Sequence, residues 1–178
     1  MKASIMFGRF QPPTKAHWKL FQEVIGISYV DPSEHFIFIS PTQDKKDNPL
    51  SLEFRKNFLS NLFKGINFIG DPEIKDPFDA LCWLGKQGFD DIVLVCGQDR
   101  VEKYKNFLKY VNHPDPTKSI PNISFVSLPR SDGDISASKA RQAIRDANID
   151  VLYDNLINCD PVDFALIWST IRRVYLNL

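Results

Sequence analysis

The chain has 178 residues, 43% hydrophobic and 12% aromatic, and its 22 basic and 22 acidic residues cancel. That is apolar material for one sizeable core, and a neutral chain has no global positive field for a nucleic-acid backbone, so any polyanion must be met locally. The apolar run before Gly8 is too short for a secretory signal and no later run is long enough for a bilayer span; with Cys82, Cys96 and Cys159 widely spaced, a cytoplasmic protein with reduced thiols, no membrane partner and no nucleic-acid partner is expected.

Taken in chain order, short β-rich runs alternate with amphipathic stretches. A strand over Ala3–Phe7 precedes a helix over Lys15–Ile25, and a strand over His35–Ser40 is followed by the polar loop Thr42–Asn48 and a helix over Leu52–Phe63. Strands over Ile66–Ile69, Asp91–Cys96 and Ile123–Ser127 alternate with helices over Pro77–Gln87 and Arg100–Tyr110, the last strand entered through the proline-rich loop Asn112–Asn122. A helix over Ala137–Asp146 follows, with Ser136 as N-cap, and then one over Pro161–Leu176, where Phe164, Ile167, Trp168, Ile171, Val174 and Tyr175 form an apolar stripe. The succession predicts an α/β fold, a Rossmann-like parallel five-stranded sheet with flanking helices and a C-terminal helical extension over about 149–178, all in one domain, 1–178. The stripe is read as packing, with a homo-oligomer contact as the alternative.

Ligands of open parallel sheets sit at the carboxyl ends of the strands, and here those loops are chemically rich. After the first strand, Gly8 permits close backbone approach, and Thr14 and His17 lie three apart on the first turn of a helix, so that a hydroxyl and an imidazole can converge on one anion at the helix's positive end. The bland alternatives are a plain N-cap for Thr14 and a partly buried helix residue for His17. Ser136, Ser138 and Arg141 form a second candidate anion cradle, although serine caps followed by a basic residue are common helix features. Gly97, Gln98, Asp99 and Arg100 end the fourth strand, and Asp99 reads equally as an N-cap; Arg130 follows the fifth. Phe10, Trp18, Trp83 and Phe125 are candidate base-stacking rings whose spacing fits core packing as well. With three histidines and no CxxC spacing, no metal-ligand cluster of thiolate or imidazole is expected.

GRFQPPTKAH followed far downstream by ISASKAR resembles the paired signature of the nucleotidyltransferase superfamily whose first motif is written (H/T)xGH, which includes nicotinamide mononucleotide adenylyltransferases, phosphopantetheine adenylyltransferases and several cytidylyltransferases. SPTQDKKDNPLSLEFR is similar to a stretch of the archaeal-type nicotinamide mononucleotide adenylyltransferases, and GRFQPPT with a G-x-D-R-V segment at Gly97–Val101 resembles small bacteriophage members labelled cytidylyltransferase-like. The likeness runs from Ile5 to about Ile157. Two positions depart from the pattern: Thr14 stands for the leading histidine, and Ala16 stands where glycine is usual.

The resemblance implies transfer of a nucleotidyl group, adenylyl first, from ATP or another nucleoside triphosphate to a small phosphorylated metabolite, with nicotinamide mononucleotide the first acceptor and pyrophosphate released. A CTP-using cytidylyltransferase and a catalytically weak nucleotide-binding or virion-associated protein remain as alternatives. Catalytic roles fall on His17, Thr14, Arg9 and Arg141; nucleotide binding on Gly8, Phe10, Gln11, Lys15, Gly97, Asp99, Arg100, Ile135, Ser136 and Ser138; and acceptor binding on Thr42, Gln43, Lys45, Lys46 and Arg55, the two lysines reading alternatively as a solvated loop. Mg²⁺ is implied as the cofactor, carried by the phosphates without a protein ligand.

Overall fold

A computed structural model describes residues 1–129, 136–157 and 159–176. Five parallel strands, β1 (Lys2–Gly8), β2 (Glu34–Ile39), β3 (Asn67–Ile69), β4 (Asp91–Gly97) and β5 (Asn122–Leu128), form one sheet in the order β3-β2-β1-β4-β5. The helices are α1 (Lys15–Val30), α2 (Leu52–Leu62), α3 (Pro77–Lys86), α4 (Val101–Lys105), α5 (Ala137–Arg145), α6 (Ile149–Asn155) and α7 (Pro161–Leu176). The Rossmann-like architecture expected from the alternation of elements is the one observed.

The strands read as nearly continuous apolar runs because helices cover both faces, as a parallel sheet requires. Successive side chains pass to opposite faces. Met6, Ile37, Ile39 and Val95 join Phe21, Phe58, Leu59 and Ile144 on one side, while Ile5, Phe36, Phe38, Leu94 and Cys96 join Leu81, Leu84 and Tyr104 on the other. Ser4 is tolerated in the buried layer because its hydroxyl donates to the Val24 carbonyl of α1 at 2.8 Å.

Helix ends follow local chemistry. Asp76 caps α3 by accepting from the amides of Phe78 and Asp79, ahead of Pro77 in the first turn; Ser51 caps α2 by accepting from Phe54. The stripe of α7 packs as expected, with Ile167 and Ile171 in the same cluster as Met6 and Phe21.

Two elements depart from the expected bounds. The helix expected over Arg100–Tyr110 is three pieces, a 3-10 turn at Gln98–Arg100, α4, and a second 3-10 turn at Asn106–Tyr110. Asn106 explains the second break: its side-chain amide donates to the Lys103 carbonyl at 3.2 Å, competing with the helical ladder. Helix α6 opens the helical extension expected over about 149–178, within which only the helix over Pro161–Leu176 was singled out. Asn148 caps it by accepting from Val151, and a single buried residue, Leu152, anchors so short an element that no periodic stripe marks it.

Candidate functional site

The strand order reverses direction between β1 and β4, so the crevice where α/β sheets bind ligands opens at their carboxyl ends, between the loop Gly8–Thr14 and the turn Gly97–Arg100. The loop after β2 and the N-terminus of α5 border it.

Four groups fix the first loop, and they are mostly backbone-directed. Arg55 of α2, 0% exposed, donates through Nη1 to the carbonyls of Arg9 at 2.6 Å and Ser40 at 2.8 Å, through Nη2 to Thr42 at 3.3 Å, and through Nε to Ser51 at 3.1 Å. Burial lowers its pKa to about 10, which leaves it charged at neutral pH. The Gln11 amide pairs with both backbone groups of Leu50, accepting from N at 2.8 Å and donating to O at 2.7 Å. Arg141 of α5 reaches back to donate to the Gln11 carbonyl at 2.8 Å, and the Ile157 amide donates to Pro13 at 3.3 Å. The Gln11–Pro12 peptide is cis.

These contacts correct several expectations. Arg55 was expected at the acceptor, but it is enclosed and spent on four carbonyls, a clamp between the loops after β1 and β2. Gln11 is likewise buried and stitches the loop to Leu50 instead of facing a nucleotide. Phe10, 1% exposed with a left-handed φ of 50°, turns its ring inward against Phe21 and His17, at centroid distances of 5.4 and 5.0 Å, so it offers no stacking face. Gly8 is needed for that ring: a Cβ there would lie 2.5 Å from Phe10 Cζ. Trp18 stacks on Phe63 at 4.6 Å, and Trp83 and Phe125 pack against the other cluster, so these rings serve the core.

Thr14 and His17 form a capping box at the start of α1. The Thr14 N–H lies 3.0 Å from His17 Nδ1 and can only donate, so Nδ1 accepts and the neutral ring carries its proton on Nε2. Thr14 Oγ1 also lies 3.0 Å from Nδ1, and the residue is 1% exposed. Its hydroxyl is therefore engaged with the cap and the ring, which makes Thr14 the residue that orients the imidazole; direct phosphate contact, the sequence expectation, is not what this arrangement presents. Lys15 is exposed on a different face of α1 and lines a small cavity of about 70 Å³ with Tyr153 and Asp154. Arg9 is exposed, and Ala16 is half-buried in the first turn.

The second motif meets the first through the Arg141 bond to Gln11. Ser136 caps α5 by accepting from Lys139 at 3.3 Å, and Arg141 Nη2 donates to Ser138 Oγ at 3.2 Å and lies 3.6 Å from Asp47. Arg141 is buried, and its Nε has no hydrogen-bond partner among the described residues. Ile135 and Arg130 lie outside the described residues.

The loop after β2 is built differently. Asp44 Oδ1 accepts from the amides of Lys46, Asp47 and Asn48 at 2.9, 2.6 and 3.2 Å, and its second oxygen accepts from the Asn48 side chain. These donors, led by the Asn48 amide, hold its pKa down at about 2. Arg145 Nη2 fastens the loop to α5 through the Lys46 carbonyl at 2.5 Å. Thr42, Gln43, Lys45 and Lys46 remain exposed on this loop, and Thr42 shares a 2.9 Å hydroxyl contact with Ser40. Sequence reading passed over Asp44, Asp47 and Arg145; the spacing of Asp44 and Asn48 around a polar run was an available signal for a side-chain-closed turn.

At the end of β4, the Asp99 carboxylate folds back over Gly97, where a Cβ would lie 2.7 Å from Oδ1, and Arg100 Nε sits 3.6 Å from Asp99. Gly97, not Asp99, occupies the N-cap of this turn. No group of three or more His, Cys, Asp or Glu side chains among the described residues is placed to hold a metal. Cys82, Cys96 and Cys159 are free, and burial raises all three thiols, Cys159 to about 11. No helix among the described residues is long and apolar enough to cross a membrane.

Fold and loops together define a doubly wound α/β protein whose strand order switches between β1 and β4. No family model matches the sequence, and no curated protein sequence matches it. Solved structures do. The nicotinic acid mononucleotide adenylyltransferase of Plasmodium falciparum in complex with NaAD superposes with a TM-score of 0.65 at 15% identity over 98% of this chain and 97% of that one. Thermotoga maritima TmcAL bound with alpha-thio ATP gives 0.62 at 14% identity over 97% of this chain and 56% of that one. A bifunctional NMN adenylyltransferase/ADP ribose pyrophosphatase of Francisella tularensis, complexed with AMP and a manganese ion, gives 0.59 at 18% identity over 99% and 51%. At such identities the likeness is one of fold.

Proposed function

We propose that the chain is a nucleotidyltransferase that binds a nucleoside triphosphate across the N-termini of α1 and α5, with ATP the first donor to test. The observation that carries this reading is the 2.8 Å bond from Arg141 to the Gln11 carbonyl, which joins two motifs 130 residues apart into one border of the crevice. Both helix starts direct backbone amides and a positive dipole end toward an anion. The shared fold with adenylyltransferase structures supports the choice of chemistry, and the likeness of NPLSLEFR and ISASKAR to the nicotinamide mononucleotide branch supports that acceptor as the first candidate.

In this reading a phosphate oxygen of the acceptor attacks the α-phosphorus in line, the bond from the α-phosphorus to its bridging oxygen breaks, and pyrophosphate leaves. His17 donates its Nε2 proton as a hydrogen bond to a non-bridging α-phosphate oxygen; Thr14, through Nδ1, fixes the tautomer that makes this possible. Arg9 and the remaining donors of Arg141 meet phosphate charge, and Ser136 and Ser138 with the first amides of α5 hold the β- and γ-phosphates. Thr42, Gln43, Lys45 and Lys46, exposed beside the crevice, are proposed to contact the acceptor. Mg²⁺ belongs to this reading as part of the triphosphate substrate, because the described residues offer no carboxylate cluster to hold it.

Pyrophosphate release measured with ATP and with CTP, each alongside a panel of phosphorylated acceptors, tests the proposal. Turnover with ATP supports it as stated, and turnover with CTP alone transfers it to a cytidylyltransferase. Nucleotide binding without release across the panel would overturn the enzymatic reading in favour of a binding protein, the outcome that the methyl group of Ala16 in the first turn of α1 favours.

A further inference from the structure

A cavity of about 270 Å³ lies between α5 and α7, lined by Ile144, Arg145, Arg172 and Tyr175. Two cations thus border a space whose lining, among the described residues, includes no acidic side chain. Each guanidinium lies over an aromatic ring, Arg145 over Tyr175 at 4.5 Å and Arg172 over Trp168 at 5.4 Å. Each is also anchored by one backbone bond, Arg145 to the Lys46 carbonyl at 2.5 Å and Arg172 to Ile144 at 3.3 Å. Those anchors use one donor nitrogen apiece, and neither arginine has a carboxylate within ion-pair distance among the described residues.

The Tyr175 hydroxyl makes the cavity more than a basic surface. It is enclosed and makes no hydrogen bond of good geometry among the described residues; Arg145 is the side chain poised to donate to it, and Arg141 and Asp47 lie within electrostatic reach. A buried hydroxyl without a partner costs on the order of 1–3 kcal/mol, a cost that a bound polar group removes.

We propose that this cavity is an anion site that takes a phosphate-class ligand, gripped by Arg145, Arg172 and the Tyr175 hydroxyl. Preoriented guanidinium groups match the several oxygens of a phosphate better than a single carboxylate, and the volume suits inorganic phosphate or pyrophosphate rather than a whole nucleotide. The site is separate from the one proposed for the triphosphate: Arg145 is one helical turn beyond Arg141, roughly 6 Å along α5. It is also linked to it, since Arg145 holds the loop that closes on Asp44, so occupancy here would bear on the loop assigned to the acceptor.

Calorimetric titration of the full chain with inorganic pyrophosphate, and separately with phosphate and with ATP, tests the inference without requiring turnover. Pyrophosphate is expected to bind the parental protein and the Ser138→Ala variant, which removes a hydroxyl assigned to the β- and γ-phosphates, alike. Arg172→Gln should weaken that binding by about tenfold to a hundredfold, and Tyr175→Phe, which keeps the ring beneath Arg145 and removes only the hydroxyl, by about threefold to tenfold. ATP affinity should be unchanged by Tyr175→Phe. Parental pyrophosphate binding by the Tyr175→Phe protein overturns the inference even if Arg172→Gln fails to fold. So does binding lost in Ser138→Ala and kept in Tyr175→Phe, which would put the anion in the crevice and leave the proposed reaction standing.

Discussion

The loop after β1 is held by buried donors from three other parts of the chain, Arg55, Leu50 and Arg141, whereas the neighbouring loop after β2 closes on the exposed carboxylate of Asp44 and is fastened to α5 by Arg145. Buried charge-assisted bonds to carbonyls are expensive to break, while solvated turn bonds are cheap to rearrange. The first loop therefore holds His17 with little reorganisation, while the second, beyond the Ser40 and Thr42 carbonyls that Arg55 holds, rests on bonds that rearrange more cheaply; in the proposed reading the first meets the reacting phosphate and the second the acceptor.

The comparison is broken most directly at Arg55. Replacing it with methionine keeps the volume but removes the guanidinium from the carbonyls of Arg9 and Ser40, for which it is the side-chain donor, and should cost about 3–5 kcal/mol of stability in urea titration; a loss below about 1 kcal/mol would deny the clamp. His17→Ala should slow pyrophosphate release by about a hundred- to a thousandfold, roughly 3–4 kcal/mol, with the unfolding midpoint little changed; parental turnover would remove His17 from the mechanism. Gln11→Leu strands both backbone groups of Leu50 and should destabilise by about 1–3 kcal/mol, which thermal unfolding would register.

The smallest effect concerns Asp44. Its folded pKa of about 2 lies below its ordinary 3.8, so its contribution to the loop is complete above pH ~4 and is lost as pH falls through about 2. Asp44→Ala should leave global unfolding unchanged and speed proteolysis within 42–48 at neutral pH. Equal cleavage of the two proteins would show that Arg145, not the carboxylate, holds the loop closed.

Some of this was legible in advance because it rests on local pattern. Strand positions, α1, α3, α5 and α7, and the caps at Thr14 and Ser136 follow from apolar periodicity and short-range hydrogen bonding. What misled was residue type taken as role: Arg55, Gln11 and Phe10 sit beside motif residues and carry functional chemistry, yet each faces inward. A guanidinium that binds phosphate and one that clamps carbonyls look the same in sequence, since the difference is which groups surround them. The helical extension over about 149–178 was expected, but the bounds of α6 within it were not, because one buried leucine sets no period.

The sequence by itself determined the alternation of strands and helices, and hence a covered parallel sheet, since hydrophobic spacing is a property of neighbouring residues. Only the tertiary structure decided that residue 141 grips the backbone of residue 11, that Arg55 turns inward onto the carbonyls of Arg9 and Ser40, and that the arginines at 145 and 172 share a cavity. Those outcomes depend on contacts between positions far apart in the chain, and such contacts exist only once the sheet order has brought them together.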